Sequence, residues 1–220
     1  MATKKKEADP GKKPAISYWS KEKCVCPICK KAFEHEIMRS GNGRMIAGSL
    51  TEELHRNFEP SAKYGRVYPL IYEVGACPFC YSAFFWNDFT EKITSDDGDK
   101  IFEHSDRRKK ACEAIFPYFN LKKERSLLDG TAMYYLALMT YDDMGAYALP
   151  TMKKAIIALR LAWLTKEMNQ HCAGHNYDVV SKLFYSKALF FYQQAVFNET
   201  NRTEKSSTLP NMGPDMDKNY

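Results

Sequence analysis

Two short stretches, Cys26-Pro27-Ile28-Cys29 and Cys77-Pro78-Phe79-Cys80, decide how the N-terminal half of this 220-residue chain is built. Each Cys-x-x-Cys turn can offer two sulfurs to one ion while backbone N–H groups in the turn point back at them and favour thiolate over thiol. One pair is ambiguous. Two pairs, separated by the 47 residues from Lys30 to Ala76, supply the four ligands of a tetrahedral site and let the chain leave the metal and return. The expected occupant is zinc, one structural ion per chain held by Cys26, Cys29, Cys77 and Cys80, because zinc suits four-thiolate ligation without redox chemistry. Iron in a rubredoxin-like centre and a redox dithiol are the alternatives open to the same residues.

Cys24 could replace Cys26 as a ligand, but only Cys26 is followed by the proline found in the second pair. Cys112 and Cys172 stand in helical and turn contexts, where a lone cysteine is ordinarily a small core residue. Seven cysteines with four assigned as thiolates fit a reducing compartment better than a disulfide framework. No apolar run has the length of a membrane span, and Met1-Ala2-Thr3-Lys4-Lys5-Lys6 leads into charge and not into a signal-peptide core. A cytoplasmic location is therefore expected, and the sequons at Asn198 and Asn201 are incidental.

The net charge of +5 raises the question of a nucleic-acid partner. Seven lysines against three acids over residues 1–23 account for +4 of it, so the basicity sits on a Lys/Pro/Gly tail and not on a folded patch. Arg107-Arg108-Lys109-Lys110, at the start of a predicted helix, reads as a wet face. Nucleic acid is accordingly not the expected partner, and the tail reads as solubilising.

The pattern divides the chain into a disordered basic tail (1–20), a metal module (21–95), a helical bundle (96–203) and a flexible C-terminal tail (204–220). Ala32-Phe33 and Glu36-Ile37-Met38 suggest short strands, and 67–74 reads as an edge strand interrupted by Pro69. Ser40 to Arg44 is a turn, whose Gly41-Asn42-Gly43 lacks the context of a phosphate loop. Thr94-Ser95-Asp96-Asp97-Gly98-Asp99 reads as polar and flexible and marks the boundary. Beyond it the apolar period becomes helical, predicting helices near 106–116, 127–139, from Met152, and near 178–197. Ala188, Tyr192 and Ala195 have the spacing of the second helix of a tetratricopeptide repeat, where small residues admit a neighbouring helix. The fold class read from these elements is α+β, mostly α: a four-cysteine zinc-knuckle module with short strands, then a tetratricopeptide-like antiparallel bundle.

With both halves in view the chain resembles the bacterial family known as domain of unknown function 2225, which couples a twin Cys-Pro-x-Cys module to tetratricopeptide-like helices. The resemblance rests on Cys26 to Phe33, on Tyr68-Pro69-Leu70-Ile71-Tyr72-Glu73-Val74-Gly75-Ala76-Cys77-Pro78-Phe79-Cys80, and on Leu159-Arg160-Leu161-Ala162-Trp163-Leu164. It implies this architecture and assigns no activity. One departure stands out: metal knuckles often carry glycine just after the second cysteine, where a left-handed backbone is favoured, and here those positions are Lys30 and Tyr81.

For catalysis the best candidate is His171-Cys172-Ala173-Gly174-His175, a cysteine between two histidines with Asp178 as the nearby carboxylate. An exposed interhelical loop is the plainer reading. Glu34, His35 and Glu36 could support the first knuckle, although surface residues on a strand are expected. The function read from the sequence is a non-enzymatic, zinc-stabilised protein-interaction or scaffold component, engaging a protein partner through its helical half. A rubredoxin-like electron carrier and a nucleic-acid-binding zinc module are its rivals.

Overall fold

The computed structural model describes residues 15–172, 174–210 and 213–216. Most of the basic tail (1–14) and the end of the chain (217–220) lie outside the described residues. Among the described residues, short antiparallel strand pairs precede five α-helices, so the α+β, mainly helical class expected from the sequence is the one observed.

The first Cys-Pro-x-Cys turn sits inside two nested ladders. Strands β1 (Ser17–Trp19) and β4 (Glu36–Met38) pair on the outside, and β2 (Cys24–Val25) and β3 (Ala32–Phe33) pair across the turn itself. Residues 17–19, expected within a tail reaching residue 20, are instead in strand, because their backbone finds its hydrogen-bond partners in β4. Between the knuckles, β5 (Ile46–Leu50) and β6 (Arg56–Glu59) make a hairpin that the sequence reading did not predict; it is short, largely exposed and shifts register between Ala47 and Leu50.

The second turn is framed by β7 (Val74–Ala76) and β8 (Ala83–Phe85). The expected strand over 67–74 is corrected here: Pro69–Tyr72 form a 3₁₀ turn, and strand begins only at Val74. Proline carries no N–H for a ladder but presets the dihedral that opens a helical turn. Leu70 and Ile71 drop from this turn into the core.

A second correction concerns Thr94 to Asp99. These residues are not a flexible boundary but the opening of α1 (Ser95–Glu103), where the Thr94 side chain accepts from the Asp97 N–H at 3.3 Å and Asp96 and Asp97 occupy the first turn. The residue types that read as loop are those that satisfy and electrostatically favour a helix N-terminus. The remaining helices, α2 (Ser105–Ile115), α3 (Leu127–Tyr141), α4 (Pro150–His171) and α5 (Tyr177–Thr200), lie where the apolar period placed them. A capping box between Ser126 and Asp129 opens α3.

Helix α3 is the hub, packing on β7, β8, the Pro69–Tyr72 turn, α2 and α4. A Cβ on Gly130 would stand 2.3 Å from Ile71 Cβ, so this glycine lets the turn rest directly on the helix. Apolar burial runs without a break from Cys77, Cys80 and Phe84 through Leu136 and Tyr141 to Leu161 and Phe184. Residue 95 thus has the same core on both sides of it.

The stretch from Glu204 onward, expected as an unpacked tail, is fastened to the fold at Glu204, Ser206 and Asp215, which are buried, while Lys205, Ser207, Thr208 and Pro210 are exposed. The Glu204 carboxylate accepts from the Thr151 N–H (3.1 Å) and hydroxyl (2.6 Å). The Pro214 carbonyl accepts from Arg160 Nε at 2.8 Å, and Asp215 receives His55 Nδ1 (2.6 Å) and the Arg56 N–H (2.7 Å). Polar composition suggested solvent; the structure instead gives each of these oxygens a donor, which is the condition for burying them. No helix among the described residues is long and apolar enough to cross a membrane.

Candidate metal centre

The sulfurs of Cys26, Cys29, Cys77 and Cys80 all lie within 4.8 Å of one another. Two of the pairs, Cys26–Cys80 and Cys29–Cys77, are 3.6 Å apart, well beyond a disulfide bond, and all seven cysteines are free. A tetrahedron of metal–sulfur bonds of about 2.3 Å has edges of about 3.8 Å, so the spacing and the soft donor set both fit one four-coordinate ion. Cys26, Cys77 and Cys80 are buried and Cys29 is partly exposed.

The two turns have the same backbone construction. The N–H of Cys26 donates to the Lys31 carbonyl (3.0 Å) and that of Lys30 to the Cys26 carbonyl (3.0 Å); Cys77 N–H reaches Ser82 (2.8 Å) and Tyr81 N–H reaches Cys77 (3.0 Å). Closing such a turn requires a left-handed residue, and Lys30 (φ 60°) and Tyr81 (φ 55°) adopt that conformation without being glycine. The departure noted in the sequence therefore alters the energy of the knuckles and not their shape. In the second turn the Phe79 N–H points at Cys77 Sγ from 3.5 Å.

Hydrogen bonds among the sulfurs set their proton affinities. Donation from Cys77 and Cys80 drives the Cys26 thiol far below its ordinary range, against the raising effect of burial. Donating to Cys26 pushes Cys77 well up, and Cys80 is pushed up to about 11 for the same reason. A divalent cation at the centre would supply the positive charge that lets all four sulfurs give up their protons together.

Groups that the sequence reading missed surround the sulfurs. The buried Ser82 hydroxyl lies 3.4 Å from Cys26 Sγ and 3.2 Å from Cys80 Sγ, within reach to donate to a thiolate. Arg108, expected on a wet face, is 1 % exposed and donates from Nη2 to the Cys80 carbonyl (3.1 Å) and from Nε to the Tyr81 carbonyl (3.3 Å). It belongs to the row of α2 that faces the knuckle, which a four-residue basic run conceals. Asp143 balances it at 3.5 Å and also accepts from His104 Nδ1 at 3.0 Å. Lys31 and Lys122 place their ammonium groups 5.1 and 5.7 Å from the Phe79 ring centre, adding positive charge beside the second turn. Four thiolates around a dication would leave two net negative charges, and the Lys31 and Lys122 ammonium groups bring positive charge to that side of the cluster.

The other candidates fall elsewhere. Cys24 stays in β2, its sulfur near the Val25 carbonyl and outside the cluster. Cys112 is fully buried, donates to the Ala132 carbonyl and has its thiol pushed up by desolvation, as a core residue does. Around the loop at Cys172, His171 contacts Tyr68 and Glu167 while His175 stacks on Tyr177, and among the described residues these side chains form no ligand cluster. Glu36 is not a surface residue: at 3 % exposure it accepts from the Arg125 N–H (2.8 Å) and from Ser17, beneath β1. Glu34 is exposed, and His35 packs on Trp86. A separate cleft of about 370 Å³ lies between the β5–β6 hairpin and α4, where Glu53 accepts from Trp163 and Tyr185 and His55 stacks on Trp163 at 4.3 Å.

No solved structure matches the chain. A protein of Borreliella burgdorferi named only as uncharacterised is 34 % identical over 206 residues, covering 93 % of this chain and 73 % of that relative. Residues 19–212 match the profile of the family described as uncharacterised proteins conserved in bacteria. The match spans both knuckles, the hairpin between them and all five helices, and the chain belongs to that bacterial family, domain of unknown function 2225.

Proposed function

We propose that this is a zinc-stapled, non-enzymatic interaction protein of the bacterial cytoplasm, its four-cysteine site structural and its helical half the surface offered to a protein partner. The observation that carries the reading is the convergence of four sulfurs inside the same core that seats α3 and α4. An ion there ties the knuckles to the helices, which is the role of a closed site with no open ligand position. The α4–α5 hairpin, with Ala188 and Ala195 buried in it, is the part of the chain that supports a tetratricopeptide-like description.

Elemental analysis with an absorption spectrum, on protein purified without added metal, tests the reading. One zinc per chain and no visible absorption is the expected result. Stoichiometric iron with thiolate charge-transfer bands would replace it with the electron-carrier reading, which the same sulfur geometry permits. Binding to nucleic acid that falls steeply with salt and survives removal of residues 1–14 would favour the nucleic-acid alternative.

A further inference from the structure

Helix α5 carries two apolar rows on opposite faces. Tyr177, Ser181, Phe184, Ala188 and Ala195 form the inner row and are buried, packing chiefly on α4. Diametrically opposite, at spacings of four, seven and seven residues, stand Val179 (51 % exposed), Leu183 (59 %), Phe190 (58 %) and Phe197 (62 %). Leu189 and Val196 widen this outer row on one flank and are exposed to a similar degree. A surface helix normally has one apolar face and one charged face, and a second apolar face marks a binding surface.

From these six exposures the row presents roughly 600 Å² of apolar side chain, at the upper edge of what a typical monomer leaves in one patch. Two copies face to face would bury about 1,200 Å² in all, where specific interfaces begin. Residues 1–14, with five lysines and no large apolar side chain beyond Met1, do not match the row. Nor does an anionic membrane surface: Lys182 and Lys187 on this helix are balanced by Asp178 and Glu199, so it lacks the basic flank of an interfacial helix.

The sequence of the row fits its own reverse. The two remaining seam positions are Ser186 and Gln193, both exposed and both polar. With two α5 helices antiparallel about a two-fold axis level with residue 188, Phe190 of each copy falls opposite Ser186 of the other, Phe197 opposite Val179, and Leu183 opposite Gln193. Every layer then sets a large side chain against a smaller or more flexible one, whereas a parallel pairing sets Phe190 on Phe190 and Ser186 on Ser186. The antiparallel arrangement also opposes the helix dipoles.

We propose that the outer face of α5 is a homodimer seam, and that the protein partner of the helical half is, in the first instance, a second copy of this chain. The proposal rests on the interaction-protein reading above and narrows its partner.

Sedimentation equilibrium on the full, metal-loaded chain at tens of micromolar tests it. The expected mass is twice the 25.4 kDa of one chain. Ser186→Asp with Phe190→Asp should fall to a single chain mass, with helix content by circular dichroism and metal content unchanged. A Ser186→Lys, Phe190→Lys chain should do the same, and mixing the two should restore the double mass through the Asp–Lys layers. A wild-type chain that is monomeric with its metal in place, or a dimer indifferent to both variants, overturns the seam while leaving the interaction-protein reading to seek a different partner. Loss of that reading itself would show separately, as iron in place of zinc. If the paired variants lose helix content, Phe197→Gln near the end of the helix is the substitute, and a dimer it does not weaken counts against the seam.

Discussion

Lys30 and Tyr81 hold the same left-handed backbone in the two knuckles, yet replacing them by glycine should have different effects. A non-glycine residue pays about 1 kcal/mol for that conformation. Lys30 is exposed and its ammonium only touches the Pro27 carbonyl, so Lys30→Gly is expected to raise stability by about 0.5–1 kcal/mol, read as a higher urea midpoint at unchanged m. Tyr81 packs edge-on against Phe119 with Lys109 over its ring, and Tyr81→Gly should be neutral or destabilising because that packing is lost. The cysteines separate as cleanly. Cys24→Ser should keep full metal stoichiometry and Cys26→Ser should lose it, measured on the purified proteins; loss in both would place Cys24 in the site. The proline at position 27 is the sequence feature that favours Cys26 over Cys24, and the twin turns point to the same four cysteines whose sulfurs the fold brings together. Ser82 and Arg108 were not legible in the sequence, because nothing local distinguishes a serine after a knuckle, or one arginine in a basic run, from its solvated neighbours. Their roles exist only once α2 is laid against β8.

At the scale of elements, α3 and the C-terminal stretch offer the sharpest tests. Glycine to alanine in a helix interior ordinarily stabilises by about 1 kcal/mol. At Gly130 the sign should reverse: the new methyl would meet Ile71 Cβ at 2.3 Å, a part of the side chain that cannot swing away, and overpacking of this kind costs about 1–3 kcal/mol. A thermal melt decides it, and an unchanged or higher midpoint would mean that the Pro69–Tyr72 turn can lift from the helix. For the C-terminal stretch, Asp215 is the fastening. Burial raises its pKa, but the bonds from His55 and the Arg56 amide outweigh that and leave it below the ordinary carboxylate value. Its contribution is therefore present above about pH 4 and lost as pH falls through the lowered value. Asp215→Asn should cost about 2 kcal/mol near neutrality, with the difference from wild type shrinking in acid, as measured by chemical denaturation across pH. The four later helices were readable from their period because apolar stripes are what bury a helix. The first helix, the hairpin and the docked tail were not: their residues are polar, and polar residues declare a cap, an exposed strand or a buried ligand only when the partner is known.

For the whole molecule, the continuous core predicts how the protein comes apart. If the knuckles formed an independent module, removing the metal would unfold them and leave the helices standing. Cys77, Cys80 and Phe84 instead share one packed interior with Leu136, Tyr141 and Leu161. A chelator is thus expected to remove tertiary signal from both halves in one transition, with near-ultraviolet dichroism and helix content lost at the same midpoint. Two separated transitions would show that residue 95 is a boundary after all.

The site also has a front and a back. Three of its four cysteines are buried and Cys29 is the one that is partly exposed, while Phe79 in the other turn stands half exposed. For an ion held by the four sulfurs, exchange with the surroundings would begin with an incoming ligand displacing that one outer sulfur. The lifetime of the folded protein in the presence of a competing thiol or chelator is then a rate set at a single atom, and it should shorten in proportion to the competitor's concentration even where the equilibrium stability is high.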